Sequence, residues 1–117
     1  MYVQKAIRKA IADTEHNSGL VVTVAFDYGS RAELVRATKR AMTAGTVNAD
    51  SISENLYDPS MPSVDLLVRT SGESRISNFM LWQITGSKVF FTERTWPDFD
   101  ADELDLALAA YATGVTS

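Results

Sequence analysis

Nine consecutive residues, Leu20 to Tyr28 (LVVTVAFDY), constrain this chain more than any other stretch in it. The run is rich in β-branched and aromatic side chains and lacks the polar alternation of a half-solvated strand. It therefore predicts a strand covered on both faces within a parallel sheet. Such a strand needs neighbours along its edges and helices above and below. The chain has 117 residues from which to supply them, enough for one domain at most.

The flanking segments fit that requirement in part. Val3, Ile7, Ala10 and Ile11 recur at helical spacing, predicting an amphipathic helix through about residue 16 that stops at Asn17-Ser18-Gly19. Gly29 ends the strand, and Ser30 stands three residues before Glu33, a capping-box spacing that opens a helix running to about Ala44 before Gly45. A short helix around Ile52 to Leu56 then gives way to loop, because Pro59 and Pro62 lack amide donors. Val64 to Arg69 reads as a second strand, SNFMLWQI (77–84) as a short apolar helix, and Lys88 to Glu93 as a third strand. The last helix starts near Asp100, whose side chain caps it with Glu103 at the third helical position, and is expected to bury Leu104, Leu106, Leu108 and Tyr111.

Strands alternating with helices give an α/β class: a partial parallel sheet of about three strands with flanking helices. The whole of residues 1–117 is then a single half-domain. Three strands leave an apolar edge open to pairing, so completion of the sheet by a partner chain is expected.

Several function classes fall away on composition. The absence of cysteine removes disulfides, thiolate metal sites and thiol nucleophiles, and permits a cytoplasmic location. A net charge of -4 gives no general attraction to nucleic acid, and no stretch approaches the about 20 apolar residues that span a bilayer. His16 is the only histidine, so a histidine-based triad or a multi-histidine metal site is not expected. Charge is uneven: residues 1–42 hold seven of the eleven bases, and residues 93–117 hold six acids with Arg94 alone against them. These read as solvated helices of opposite sign. The acidic run from Asp98 to Asp105 reads as a helix cap with exposed charge, and Trp82 and Trp96 as core or interface aromatics.

The segment able to carry chemistry is VDLLVRTSGESRISNF (64–79). Ligands of open α/β sheets gather beyond the carboxyl ends of strands, and here a strand ends at Arg69 and passes into a small, polar turn. Arg69 and Arg75 offer guanidinium forks for phosphate oxygens, Ser71, Ser74 and Ser77 add donors, and Gly72 permits close backbone approach. An exposed loop with solvated arginines would have the same composition.

VDLLVRTSGESRISNFMLWQ followed by FFTERTWPDFDADEL resembles the carboxyl-terminal signature of the cis-prenyltransferases, the undecaprenyl diphosphate synthase family, and AFDYGSRAEL is similar to that family's Asn-Tyr-Gly-Gly-Arg segment. The likeness runs from about residue 2 to residue 111. It implies that Arg69, Arg75 and Ser77 bind the diphosphate of isopentenyl diphosphate, which condenses with an allylic diphosphate to leave a Z double bond.

Two departures accompany the resemblance. The family's His-x-x-Met-Asp-Gly-Asn-Gly-Arg segment, with the aspartate that engages magnesium and the allylic diphosphate, has no counterpart in this sequence. Lys88 stands where the family usually places a magnesium-binding glutamate. The resemblance therefore implies a subunit of a split or heteromeric enzyme that supplies the isopentenyl diphosphate site. A second chain would carry the amino-terminal half and hold Mg2+ in the main, no metal ligand being assigned to this chain. Lys88 would take an electrostatic role beside the diphosphates, and membrane contact would arise only through a lipid product. The alternative is a non-catalytic regulatory or scaffolding subunit of a full-length prenyltransferase.

Overall fold

In the computed structural model, which describes residues 1–114, helix α1 (Tyr2–Thr14) stands on local contacts alone. Lys9 pairs with Asp13 one turn on, and the Thr14 hydroxyl donates to the Ala10 carbonyl at 2.8 Å. None of its residues is buried, so the apolar stripe Val3, Ile7 and Ile11 has no partner surface.

The run that follows does not form the predicted strand. Leu20 is 92% exposed, and Val21, Val22, Val24 and Phe26 are exposed with it. A strand exists only where neighbouring strands accept its backbone groups, and among the described residues nothing pairs with 20–26.

The body begins at helix α2 (Ser30–Ala44), closed by Gly45 in a left-handed C-cap. It packs through Ala37 and Ala41 beside α3 (Ala49–Glu54), which Asn48 and Ser51 cap reciprocally. The predicted capping box at the start of α2 is absent: Gly29 is the N-cap, and Ser30 and Glu33 turn inward to partners far along the chain.

Strands β1 (Leu66–Arg69) and β2 (Lys88–Phe91) pair in parallel, with Leu66 opposite Lys88 and Arg69 opposite Phe91. The sheet thus has two strands where three were expected. Between them the predicted helix over 77–84 is instead a series of turns. Asn78 and Met80 adopt left-handed φ values of 55° and 47°, which a right-handed helix cannot contain.

A 3-10 turn (Trp96–Asp98) leads to helix α4 (Ala101–Thr113), capped as expected by Asp100, which accepts from the Glu103 amide at 2.9 Å. Its buried face is Glu103 and Ala107, whereas Leu104, Leu106, Leu108 and Tyr111 stay exposed. Leu104, Leu108 and Tyr111 share one face at i, i+4 and i+7, with Leu106 on the other side, but that face stays exposed while Glu103 and Ala107 turn to the body. No described helix is long and apolar enough to cross a membrane.

Candidate functional site

The end of β1 is fastened to the residues after β2. The Arg69 carbonyl accepts from the Thr92 amide at 2.9 Å, and the Gly72 and Ser71 amides donate to the Thr92 and Arg94 carbonyls at 2.9 and 2.7 Å. Thr70, Ser71 and Gly72 therefore form a rigid turn at the carboxyl edge of the sheet. Ser71 and Gly72 both have left-handed φ, and a Cβ on Gly72 would sit 2.5 Å from a Glu93 carboxylate oxygen, so glycine meets both demands there.

Arg69 and Ser77 come together. An Arg69 Nη donates to the Ser77 Oγ at 3.4 Å, and both line a cavity of about 210 Å³ walled also by Thr70, Ile76 and Phe79. The Arg69 Nε is buried without a hydrogen-bond partner among the described residues. Arg75 lies outside this arrangement, its side chain 75% exposed with its Nε 3.2 Å from Glu73.

Lys88 lies at the other end of the sheet. The parallel register sets it three residues before Phe91, which faces Arg69, a separation of about 10 Å along the strands. Its ammonium donates to the Tyr111 carbonyl at 2.6 Å and sits 4.8 Å from the centre of the Tyr111 ring. It thus occupies the carboxyl end of α4, where a cation is favourable.

Below the cavity is a layer that sequence reasoning missed. Glu33, 2% exposed, accepts from the Tyr28 hydroxyl, from the Tyr57 amide at 2.9 Å and from Gln83 at 3.3 Å. The Tyr28 ring meets Tyr57 and Phe79 edge-on. Burial first, and the bond to Glu33 second, push the Tyr28 pKa above its ordinary 10.0. Ser30 and Asn78 join the α2 start to the turn holding Ser77. The signal available for Ser30 and Glu33 was local and pointed to a cap, while the partners that hold them inward lie 24 to 51 positions away.

Among the described residues no three histidine, aspartate or glutamate side chains gather as a metal site. Asp98 is taken by Thr95, Asp100 by the Glu103 amide and Arg94, and Glu103 by Thr92 and Arg94. Arg31, Arg36, Lys39 and Arg40 line a shallow basic surface on α2.

The family model described as "Putative undecaprenyl diphosphate synthase" matches residues 1–115. The isoprenyl transferase of Enterococcus faecalis is 42% identical over 94% of this chain and 45% of its own length, and that of Fusobacterium nucleatum 45% identical over 93% and 48%. Among solved structures, lavandulyl diphosphate synthase from Lavandula x intermedia, in complex with dimethylallyl diphosphate, superposes with a TM-score of 0.84 at 32% identity, over 94% of this chain and 51% of that one. The structure described as "a probable undecaprenyl diphosphate synthase" from Campylobacter jejuni gives 0.81 at 30% identity, over 95% and 53%. The chain spans about half the length of the relatives it matches. With a family model matching nearly its whole length, the chain belongs to the undecaprenyl diphosphate synthase family of isoprenyl transferases.

Proposed function

We propose that this chain is the isopentenyl-diphosphate-binding half of a cis-prenyltransferase and works with a polypeptide carrying the amino-terminal half of the fold. One observation carries the reading: at the end of β1 a guanidinium with a buried, unpartnered nitrogen meets a serine hydroxyl across a small cavity. A buried N–H without an acceptor is costly, and a phosphate oxygen in that cavity would satisfy it through a charge-assisted bond. Arg75 would exchange its exposed pair with Glu73, which is worth little in water, for the same diphosphate. Dimethylallyl diphosphate in the Lavandula relative supports prenyl diphosphates as the substrate class.

In this reading Arg69, Arg75 and Ser77 hold the acceptor so that its double bond meets the allylic cation left when the other diphosphate departs. A proton is then lost to leave the Z alkene. The contribution of this chain is positioning and charge stabilisation. Magnesium, in the reading's terms, is held mainly by the other half, and no step is assigned to a metal on this chain. The exposed arm over residues 1–26 and the half-length match support a partner polypeptide.

A non-catalytic scaffolding role is the second reading, favoured by Lys88: its ammonium is engaged at Tyr111 and stands at a family metal-ligand position. Steady-state condensation by the complex with a complementary half separates the two. The catalytic reading expects Arg69→Ala to raise the KM for isopentenyl diphosphate about tenfold or more, with the allylic KM little changed. Unaltered kinetics would leave the scaffolding role standing.

A further inference from the structure

Two segments distant in sequence, Gly29-Ser30-Arg31 and Ser77-Asn78, lock together at the start of α2. The first amides of a helix have no partner within it. Here two of them are taken by one residue: the Ser30 N–H donates to the Asn78 carbonyl at 2.9 Å, and the Arg31 N–H to the Asn78 Oδ1 at 2.8 Å. Ser30, fully buried, returns an acceptor, its Oγ receiving the Leu81 N–H at 2.9 Å. The fit is close, since a Cβ on Gly29 would lie 3.0 Å from the Asn78 Nδ2.

Asparagine suits this place on two counts. It tolerates the left-handed φ of 55°, and its short amide carries an acceptor that reaches the second helix amide. The residue before it is Ser77, whose hydroxyl faces Arg69. With its leading amides occupied, α2 offers its N-terminus to the turn and not to an anion.

We propose that Asn78, seated on Ser30 and Arg31, is the positioning residue that fixes where Ser77 presents its hydroxyl to the diphosphate. This rests on the diphosphate reading above. It predicts that loosening the lock weakens anion binding while every side chain touching the anion remains.

The test uses the full 117-residue chain in complex with a complementary amino-terminal half, with inorganic pyrophosphate as the probe, combining calorimetric titration of the Arg69-dependent site with hydrogen exchange of the peptides over residues 29–33 and 79–83. Asn78→Gly keeps the left-handed backbone and removes only the side-chain acceptor. It is expected to speed exchange in 29–33 and raise the pyrophosphate Kd about tenfold, the usual scale for one lost hydrogen bond. Asn78→Asp retains an acceptor of the same reach and is expected to restore protection of 29–33. Ser30→Ala should expose 79–83 and weaken binding in the same direction. Wild-type affinity in both Asn78→Gly and Ser30→Ala would overturn the positioning role and leave the diphosphate reading intact. Absence of saturable, Arg69-dependent binding in the unaltered complex would instead defeat the diphosphate reading, and the positioning role with it.

Discussion

Arg69 and Arg75 carry the same charge in different surroundings, and the difference governs what each is worth. Arg69 projects from a strand end into a cavity with its Nε already desolvated, so the cost of ordering it is met by the fold. Arg75 is solvated and held only by Glu73. Arg69→Ala is expected to weaken isopentenyl diphosphate binding by about 1.5–3 kcal/mol. Arg69→Lys should recover little, because an ammonium cannot reproduce the guanidinium fork. Arg75→Ala should cost less than Arg69→Ala, and titration calorimetry ranks the three.

Tyr28 gives a residue-scale expectation in pH. Its pKa is raised in the fold, so the neutral hydroxyl is the favoured form. The stabilisation is fully present below the unfolded value of about 10 and is lost as pH rises through the higher folded value. Urea midpoints from pH 7 to 11 should fall on the alkaline side, and Tyr28→Phe should flatten that fall. At neutral pH the same variant leaves Glu33 short of a donor and is expected to cost about 1–3 kcal/mol. The polar turn after β1, with Arg69 at the strand end, was legible in the sequence because a strand end followed by a glycine-containing polar turn is a local pattern. Ser30, Glu33 and Asn78 were not, because the bonds that place them join segments from 24 to 51 positions apart.

At the scale of elements, α4 starts where its Asp100 cap predicts, whereas α2 starts at Ser30 without the expected capping box and α3 runs over Ala49–Glu54, ahead of the expected 52–56, because Asn48 and Ser51 cap it. The errors arose where a partner decides. Residues 20–28 have the composition of a buried strand, yet pairing requires neighbours, and among the described residues only β1 and β2 find each other. The 77–84 run has helical apolar spacing, but Asn78 and Met80 are held left-handed, the former by bonds to α2. Lys88 ties β2 to the end of α4 through the Tyr111 carbonyl and ring. Lys88→Met keeps the stem and removes the charge. It should therefore speed hydrogen exchange over 107–114, with a stability loss of about 0.5–1 kcal/mol. Lys88→Glu, placing an anion beside a helix C-terminus, should lose more. Equal exchange in all three proteins would remove Lys88 as the anchor of α4.

The molecule as a whole is more extended than its length requires. Its radius of gyration is 16.8 Å, against about 13 Å for a compact domain of this size. Among the described residues the buried apolar ones are few, and three of the five are alanines: Ala37, Ala41, Leu56, Phe90 and Ala107. Meanwhile α1 and the run from Leu20 to Phe26 expose large apolar side chains. Exposed apolar surface on that scale marks an interaction face, and a two-strand sheet is too small to be stable without further cover. The isolated chain is expected to self-associate and to bind a hydrophobic dye, which light scattering and fluorescence would register.

Hydrogen exchange over residues 20–28 tests the half-fold most directly. It should be measured on the chain alone and on the chain co-expressed with the amino-terminal half of the Enterococcus faecalis isoprenyl transferase. These amides should exchange freely in the chain alone and slow by about a hundredfold or more in the complex, as strand pairing protects them. Strong protection in the isolated monomer, or none in a stable complex, would contradict a sheet that is completed by the other half of the family fold.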